Sequence, residues 1–164
     1  MFRMVAERVL GGLTHLIALV GTTHLVTTIL MDPRFPWNTL LFLAPNIILA
    51  RIYFDRSRLL YAQVMQALIA HVTALGLALI PWTIWALRVT HVLSDKWSKP
   101  SLPSYGFTPE WTLTAVLLIF LGAGVFVLMA DAACDAFEGR VFQYPLVGRI
   151  ARRIADFDPE AAAE

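Results

Sequence analysis

At 164 residues the chain is one domain by length, yet 58% of it is hydrophobic, only 15% is charged and its mean hydropathy is +0.65. A soluble domain of this size has too little interior to hide that much apolar surface, so a free globular protein is excluded. The net charge of +1 argues against a nucleic-acid binder, and the single cysteine, Cys134, excludes an intramolecular disulfide and a four-cysteine zinc site.

Arg3 and Arg8 precede the first apolar run, which is too long for a signal-peptide core and is followed by no small-x-small cleavage site; it is expected to stay in the mature protein. Four apolar windows follow, Val9–Met31, Phe35–Ala50, Leu59–Leu87 and Trp111–Ala130. They predict spans over about 9–31, 36–54, 58–82 and 110–132, an all-α integral membrane four-helix bundle. The first, third and fourth have the roughly 20 residues that crossing hydrocarbon as a helix requires. The second is short and carries Pro36, Pro45 and Asn46; it reaches the interface only through Ile52–Phe54, with Arg51 snorkelling. The alternative is that it re-enters without crossing. In the third, Ser57 is placed to cap the start, and Pro81-Trp82 predicts a kink, with Ile84–Leu93 continuing along the interface. "SDKWSKPSLPSYGF" reads as an outer loop, and "FTPEW" restarts the chain with Thr108 as cap, Pro109 in the first turn and Glu110 against the positive helix end. After the turn at Gly139, residues 141–155 predict an interfacial segment in which "YPLVGRIARRIADF" suits a surface-lying helix, with Leu146, Val147, Ile150 and Ile154 on one side and the lipid-surface arginines Arg149, Arg152 and Arg153 on the other.

Charge selects between the two topologies. With four spans and the N-terminus inside, the inner segments hold Arg3, Arg8, Arg51, Arg56, Arg58, Arg140, Arg149, Arg152 and Arg153; the outer segments hold Arg34, Arg88, Lys96 and Lys99. This is the positive-inside pattern of a bacterial inner (cytoplasmic) membrane protein with both termini cytoplasmic. Trp37, Trp82, Trp85, Trp97 and Trp111 then all fall near the outer boundary, as an interfacial belt would.

The order of "THL" (14–16), "APNIILARIYFDRS" (44–57), "QAL" (66–68) and "AFEGRVFQYPL" (136–146) resembles a group of small bacterial four-helix membrane proteins of unassigned function. That group is related to the Tic-twenty subunit of the chloroplast inner-envelope protein translocon. The resemblance covers residues 7–150 and implies the four-helix fold and, more weakly, a role in protein translocation or insertion.

Polar residues inside apolar windows are the candidate sites. His15, His24 and His71 are candidate haem or chlorophyll ligands, against the simpler expectation of interhelical hydrogen bonding to Thr22, Thr73 or Gln66. His15 and His24 face different ways, and Gly11, His15, Ala18 and Thr22 share one small-polar face. Asp131, Asp135 and Glu138 recur near the C-terminal end of the last helix, where they repel one another and oppose the dipole. Ion pairs with Arg51, Arg56 or Arg58 on the neighbouring loop are the expected compensation; a proton relay or divalent-metal clip is the alternative. Gln63 and Gln66 begin a stripe with Ala67, Ala70, Ala74 and Ala78, matched by Gly122 and Gly124 on the last span, which predicts close helix packing. No nucleophile–base spacing, phosphate loop or metal motif is present, so an enzyme is not expected.

Three functions are left: a non-catalytic accessory subunit packing against a larger respiratory or photosynthetic membrane complex, a Tic-like translocation or insertion component, and a haem- or chlorophyll-binding subunit. The expected partners are membrane lipids and other integral membrane subunits.

Overall fold

A computed structural model describes residues 2–31, 36–94, 109–145 and 148–155. The expected outer loop with Lys96, Trp97 and Lys99, the cap Thr108, and Leu146 and Val147 lie outside these residues. All regular structure among the described residues is helical. Helix α1 spans Phe2–Met31; a 3-10 helix, Pro36–Leu43, leads into α2, Ala44–Tyr53; α3 spans Arg58–Ser94, α4 Pro109–Glu138 and α5 Gly148–Ala155.

Three of these helices are long and apolar enough to cross a membrane, over Met4–Leu30, Arg58–Ile84 and Thr112–Glu138. The second window takes a different form. Pro36 and Pro45 each withhold a backbone donor, and the chain answers with eight residues of 3-10 helix before α2. At about 2.0 Å per 3-10 residue and 1.5 Å per α residue, the two pieces end to end reach roughly 31 Å, against roughly 27 Å for the same 18 residues as pure α-helix.

Helix α3 occupies the third window. It starts as foreseen, with Ser57 Oγ accepting the Leu60 N–H at 3.3 Å. The chain stays helical through Pro81 and continues through Ile84–Leu93 to Ser94, while its apolar span ends at Ile84. Thr83 sits two residues past the proline, and its hydroxyl donates back to Leu79 O at 2.7 Å.

Contacts fix the directions. Gln63 meets α1 at Gly11 and His71 meets it at Gly21, so α3 runs parallel to α1. Phe137 meets Gly12, Thr22 meets Met129 and Val26 meets Gly122, so α4 runs antiparallel. The 3-10/α2 segment is also antiparallel: Phe42 lies beside His24, and Asn46 donates to Thr14 O. Its end completes the return, because Tyr53, Arg56 and Ser57 line one cavity with Ala6, Glu7 and Leu10 at the start of α1. Helix α1 is therefore the axis of the bundle, 56% of its apolar window being buried against 17% for α4.

The core has two halves. Toward the end of α1, Leu25, Val26 and Ile29 pack with Leu75, Ala78 and Leu118. Nearer its start the packing is finer-grained: Ala18, Ala67, Ala70, Met129 and Ala132 close around Tyr144. Small residues let the backbones approach in this half, and polar side chains fill what remains.

Candidate functional site

The bundle holds a seam of buried polar side chains between α1, α2 and α3. Thr14, His15, Thr22, Asn46, Gln63, Gln66 and His71 are each at most 3% exposed. Glycines on α1 make room for them. The Gln63 carboxamide presses on the Gly11 backbone, and a Cβ on Gly21 would lie 2.7 Å from His71 Nε2 and 2.7 Å from Phe42 Cβ. Part of the seam is bonded: Thr14 donates to Gly11 O at 2.7 Å, Asn46 Nδ2 to Thr14 O at 3.2 Å and Gln63 Nε2 to Arg140 O at 3.3 Å. Part is not. Asn46 Oδ1, Gln63 Oε1, both amide atoms of Gln66 and both ring nitrogens of His71 are buried with no hydrogen-bond partner. Each such atom costs about 1–3 kcal/mol.

The chain leaving α4 closes this seam from below. Gly139 has φ +84°, a left-handed conformation suited to glycine; its N–H bonds to Ala136 O at 3.0 Å, and Arg140 N–H bonds to Asp135 O at 2.7 Å. That pair of bonds is a Schellman C-cap. Arg8 packs over Gly139, placing a cation at the negative end of α4. Residues 140–145 then turn back into the bundle, and Tyr144 reaches His15, with Oη 3.0 Å from Nδ1. Burial pushes the Tyr144 phenol above its ordinary pKa, so the hydroxyl keeps its proton, and Tyr144 Oη and His15 Nδ1 share one hydrogen bond whose donor is set by the imidazole tautomer. The Phe142 ring braces Tyr144 edge-on at 5.0 Å.

No family model, curated protein or solved structure matches the chain. The site is therefore described by its own geometry.

Of the predicted ligands, His15 is held by Tyr144, not by Thr22, and Thr22 instead faces Met129 Sδ at 3.8 Å. His71 is bonded to neither Thr73 nor Gln66. His24, half-buried, lies 5.2 Å from the Phe42 ring, and His71 meets the same residue beside Gly21. These three histidines are thus divided between two neighbourhoods, one at Tyr144 and one at Phe42, and the Nδ1 of His15 is engaged by Tyr144.

The acidic cluster is compensated in a different way from the one expected. Arg140 Nη2 lies 2.9 Å from Asp135 Oδ1 and 2.5 Å from Glu138 Oε2. Arg140, the next residue past the cap, is thus the cation set against Asp135 and Glu138, where the sequence predicts Arg51, Arg56 or Arg58. The tight turn at Gly139 brings Arg140 back over the last turn of α4. Asp131 stands exposed on the outer flank of α4.

Packing residues divide similarly. Gly11, Ala18, Gln63, Gln66, Ala67, Ala70 and Ala74 line helix contacts as predicted, and Gly122 rests against Val26. Gly124 does not: nothing lies within 4 Å of where its side chain would be, because it sits on the outward face of α4. The C-terminal segment is also revised. Residues 141–145 are not helical, since Tyr144 is drawn into the core and Pro145 cannot extend a helix backward. Only Gly148–Ala155 forms α5, which packs on α3 through buried Gly148 and Ala151. Arg149 and Arg153 are exposed, as expected.

Asn46, Tyr144, Gly12 and Gly21 belong to the site and were not singled out as site residues in the sequence. Asn46 offered a signal, a lone amide inside an apolar window. Tyr144 offered none, because its position beyond the last span points to an exit, not to the interior.

Proposed function

We propose that the chain is a non-catalytic integral membrane subunit. It crosses a bacterial inner membrane four times, keeps both ends on the cytoplasmic side, and presents α4 to a larger membrane assembly. Four features support the topology. The second segment is long enough to cross, at roughly 31 Å against a hydrocarbon core of about 30 Å. Its end returns to the start of α1. Arg8 and Arg140 meet at the end of α4. Exposed Arg51, Arg56 and Arg58 gather at that same end of the bundle, which the positive-inside rule assigns to the cytoplasm.

The observation that carries the subunit role is the outer surface of α4. Its apolar window has a mean hydropathy of 2.6 and is only 17% buried. Leu113, Leu117, Phe120 and Val127 project from it around the open notch at Gly124. Large side chains flanking a small one form the knob-and-hole surface that helices use to associate in lipid. Photo-crosslinking from Phe120 and Val127 tests this. A discrete protein adduct from these positions, absent from Val20 on α1, is the expected result; adducts with lipid alone from both faces would overturn it.

The unpartnered polar atoms of Gln66 and His71 favour a second reading, a Tic-like component of translocation or insertion, since a polar path between helices needs such groups. Crosslinking of a membrane-arrested precursor to position 66 or 71 is its test.

A further inference from the structure

The exit segment that reaches His15 also acts as a wedge. Tyr144 and Pro145 lie between α3 and α4 and close the inner end of a cleft of about 140 Å³, whose walls include Ala74 and Leu77 on one side and Val125 and Leu128 on the other. The cleft exists because α3 offers alanines where α4 would otherwise be met by larger side chains.

Its chemistry selects hydrocarbon. An internal water needs two to four polar partners. The lining supplies the Thr73 hydroxyl and the Tyr144 hydroxyl, and the second is committed to His15. The volume is close to that of apolar protein cavities that accept a six-carbon ring. Leu77 is 46% exposed at the mouth, and Val125 and Leu128 are half-buried, so the cleft opens onto the apolar exterior, where acyl chains are.

Helix α5 indicates which lipid. Gly148, whose N–H bonds to Tyr144 O at 3.0 Å, ties α5 directly to the floor of the cleft. The helix has three faces: Gly148 and Ala151 turn to the bundle, Ile150 and Ile154 are exposed, and Arg149 and Arg153 are exposed one turn apart. Exposed isoleucines set such a helix at the boundary between acyl chains and headgroups, which brings the guanidinium groups to phosphate depth. Among the described residues, the acids of α4 leave these arginines available. Asp135 and Glu138 are engaged by Arg140, and Asp131 lies on the flank of α4, roughly 110° round from the ridge that lines the cleft.

We infer that the α3–α4 cleft holds a segment of an acyl chain of one anionic phospholipid, whose phosphate is bound by Arg149 and Arg153. The site rests on the membrane residence of the bundle and is independent of whether α4 docks a partner. The lipid would fill the space opened by the wedge and join α3, α4 and α5 without a protein–protein contact among all three.

The test is native mass spectrometry of the full chain in mild detergent, with dioleoyl phosphatidylglycerol or dioleoyl phosphatidylcholine added. One phosphatidylglycerol is retained preferentially. Arg149→Gln with Arg153→Gln lowers its affinity roughly thirty-fold, toward that of phosphatidylcholine, at about tenfold or less per arginine. Val125→Phe, which fills the cleft from its mouth, abolishes retention of either lipid; Thr73→Leu is the parallel variant should Val125→Phe fail to fold. Equal retention of the two lipids by the native chain, or unchanged preference in the arginine variant, removes the headgroup site. Undiminished retention in a folded cleft-filling variant removes the acyl site.

Discussion

Gly21→Ala is the sharpest probe of how the polar seam is packed. The added methyl would lie 2.7 Å from His71 Nε2 and 2.7 Å from Phe42 Cβ, well inside van der Waals contact. Neither neighbour can yield cheaply: the His71 ring is fully buried, and Phe42 Cβ is one bond from the backbone. Overpacking of this kind costs about 1–3 kcal/mol. Gly124→Ala provides the control, because nothing lies within 4 Å of its added methyl; removing a helix glycine there should be neutral or stabilising by up to about 1 kcal/mol. Reversible unfolding in mixed micelles, followed by circular dichroism as the denaturing detergent fraction rises, measures both. His71→Ala in the Gly21→Ala background removes the ring the methyl strikes, and the two changes should be less than additive by at least 0.5 kcal/mol or so. Equal effects of the two glycine substitutions, or strict additivity with His71→Ala, would refute the packing described for α1 against α3.

Tyr144→Phe keeps the ring and deletes the 3.0 Å bond to His15, leaving a buried imidazole nitrogen unpaired; a loss of about 1–3 kcal/mol is expected in the same unfolding assay. Because burial raises the Tyr144 pKa in the folded chain, its contribution is fully present below the unfolded value of about 10 and declines as pH rises above it. A stability–pH profile should therefore fall on the alkaline side in the native chain and fall less in Tyr144→Phe. Gly139→Ala forces a side chain into a left-handed conformation and against Arg8, and should cost about 1–2 kcal/mol with loss of the α4 cap; an effect below a few tenths would contradict the cap. Arg140→Gln, by contrast, should change stability by less than about 1 kcal/mol, since its ion pairs are largely exposed, and raised salt should erase the difference.

Much of the fold was legible because lipid imposes simple rules. Length and hydropathy locate α1, α3 and α4, Ser57 marks a helix start, and Gly139 marks a helix end. The 3-10 turn of Pro36–Leu43 was foreshadowed only as a short, proline-bearing window, since no periodicity distinguishes a tight helix from a broken one over eight residues. Pro81 was legible as a missing backbone donor within a chain that continues, and α3 runs through it to Ser94. In the site, His15, Gln63, Gln66 and His71 were visible as polar residues in apolar windows, yet their partners were not. Tyr144 comes from 129 positions away in the chain to meet His15, and the partner of Asp135 and Glu138 proved to be local, not on another loop. Pairings of that kind are set by how the exit segment folds back, which hydrophobic pattern does not encode.

The topology is tested most directly by labelling single cysteines in intact cells with a membrane-impermeant maleimide. Cys134, the chain's one native cysteine, is exposed and is first replaced by alanine. Cysteines placed at Lys96, Arg56 and Arg149 should then divide: position 96 labels from outside, while 56 and 149 label only after the membrane is opened. Labelling of positions 96 and 149 from the same side would contradict four crossings, and with them the arginine-rich inner face on which the subunit and lipid proposals depend.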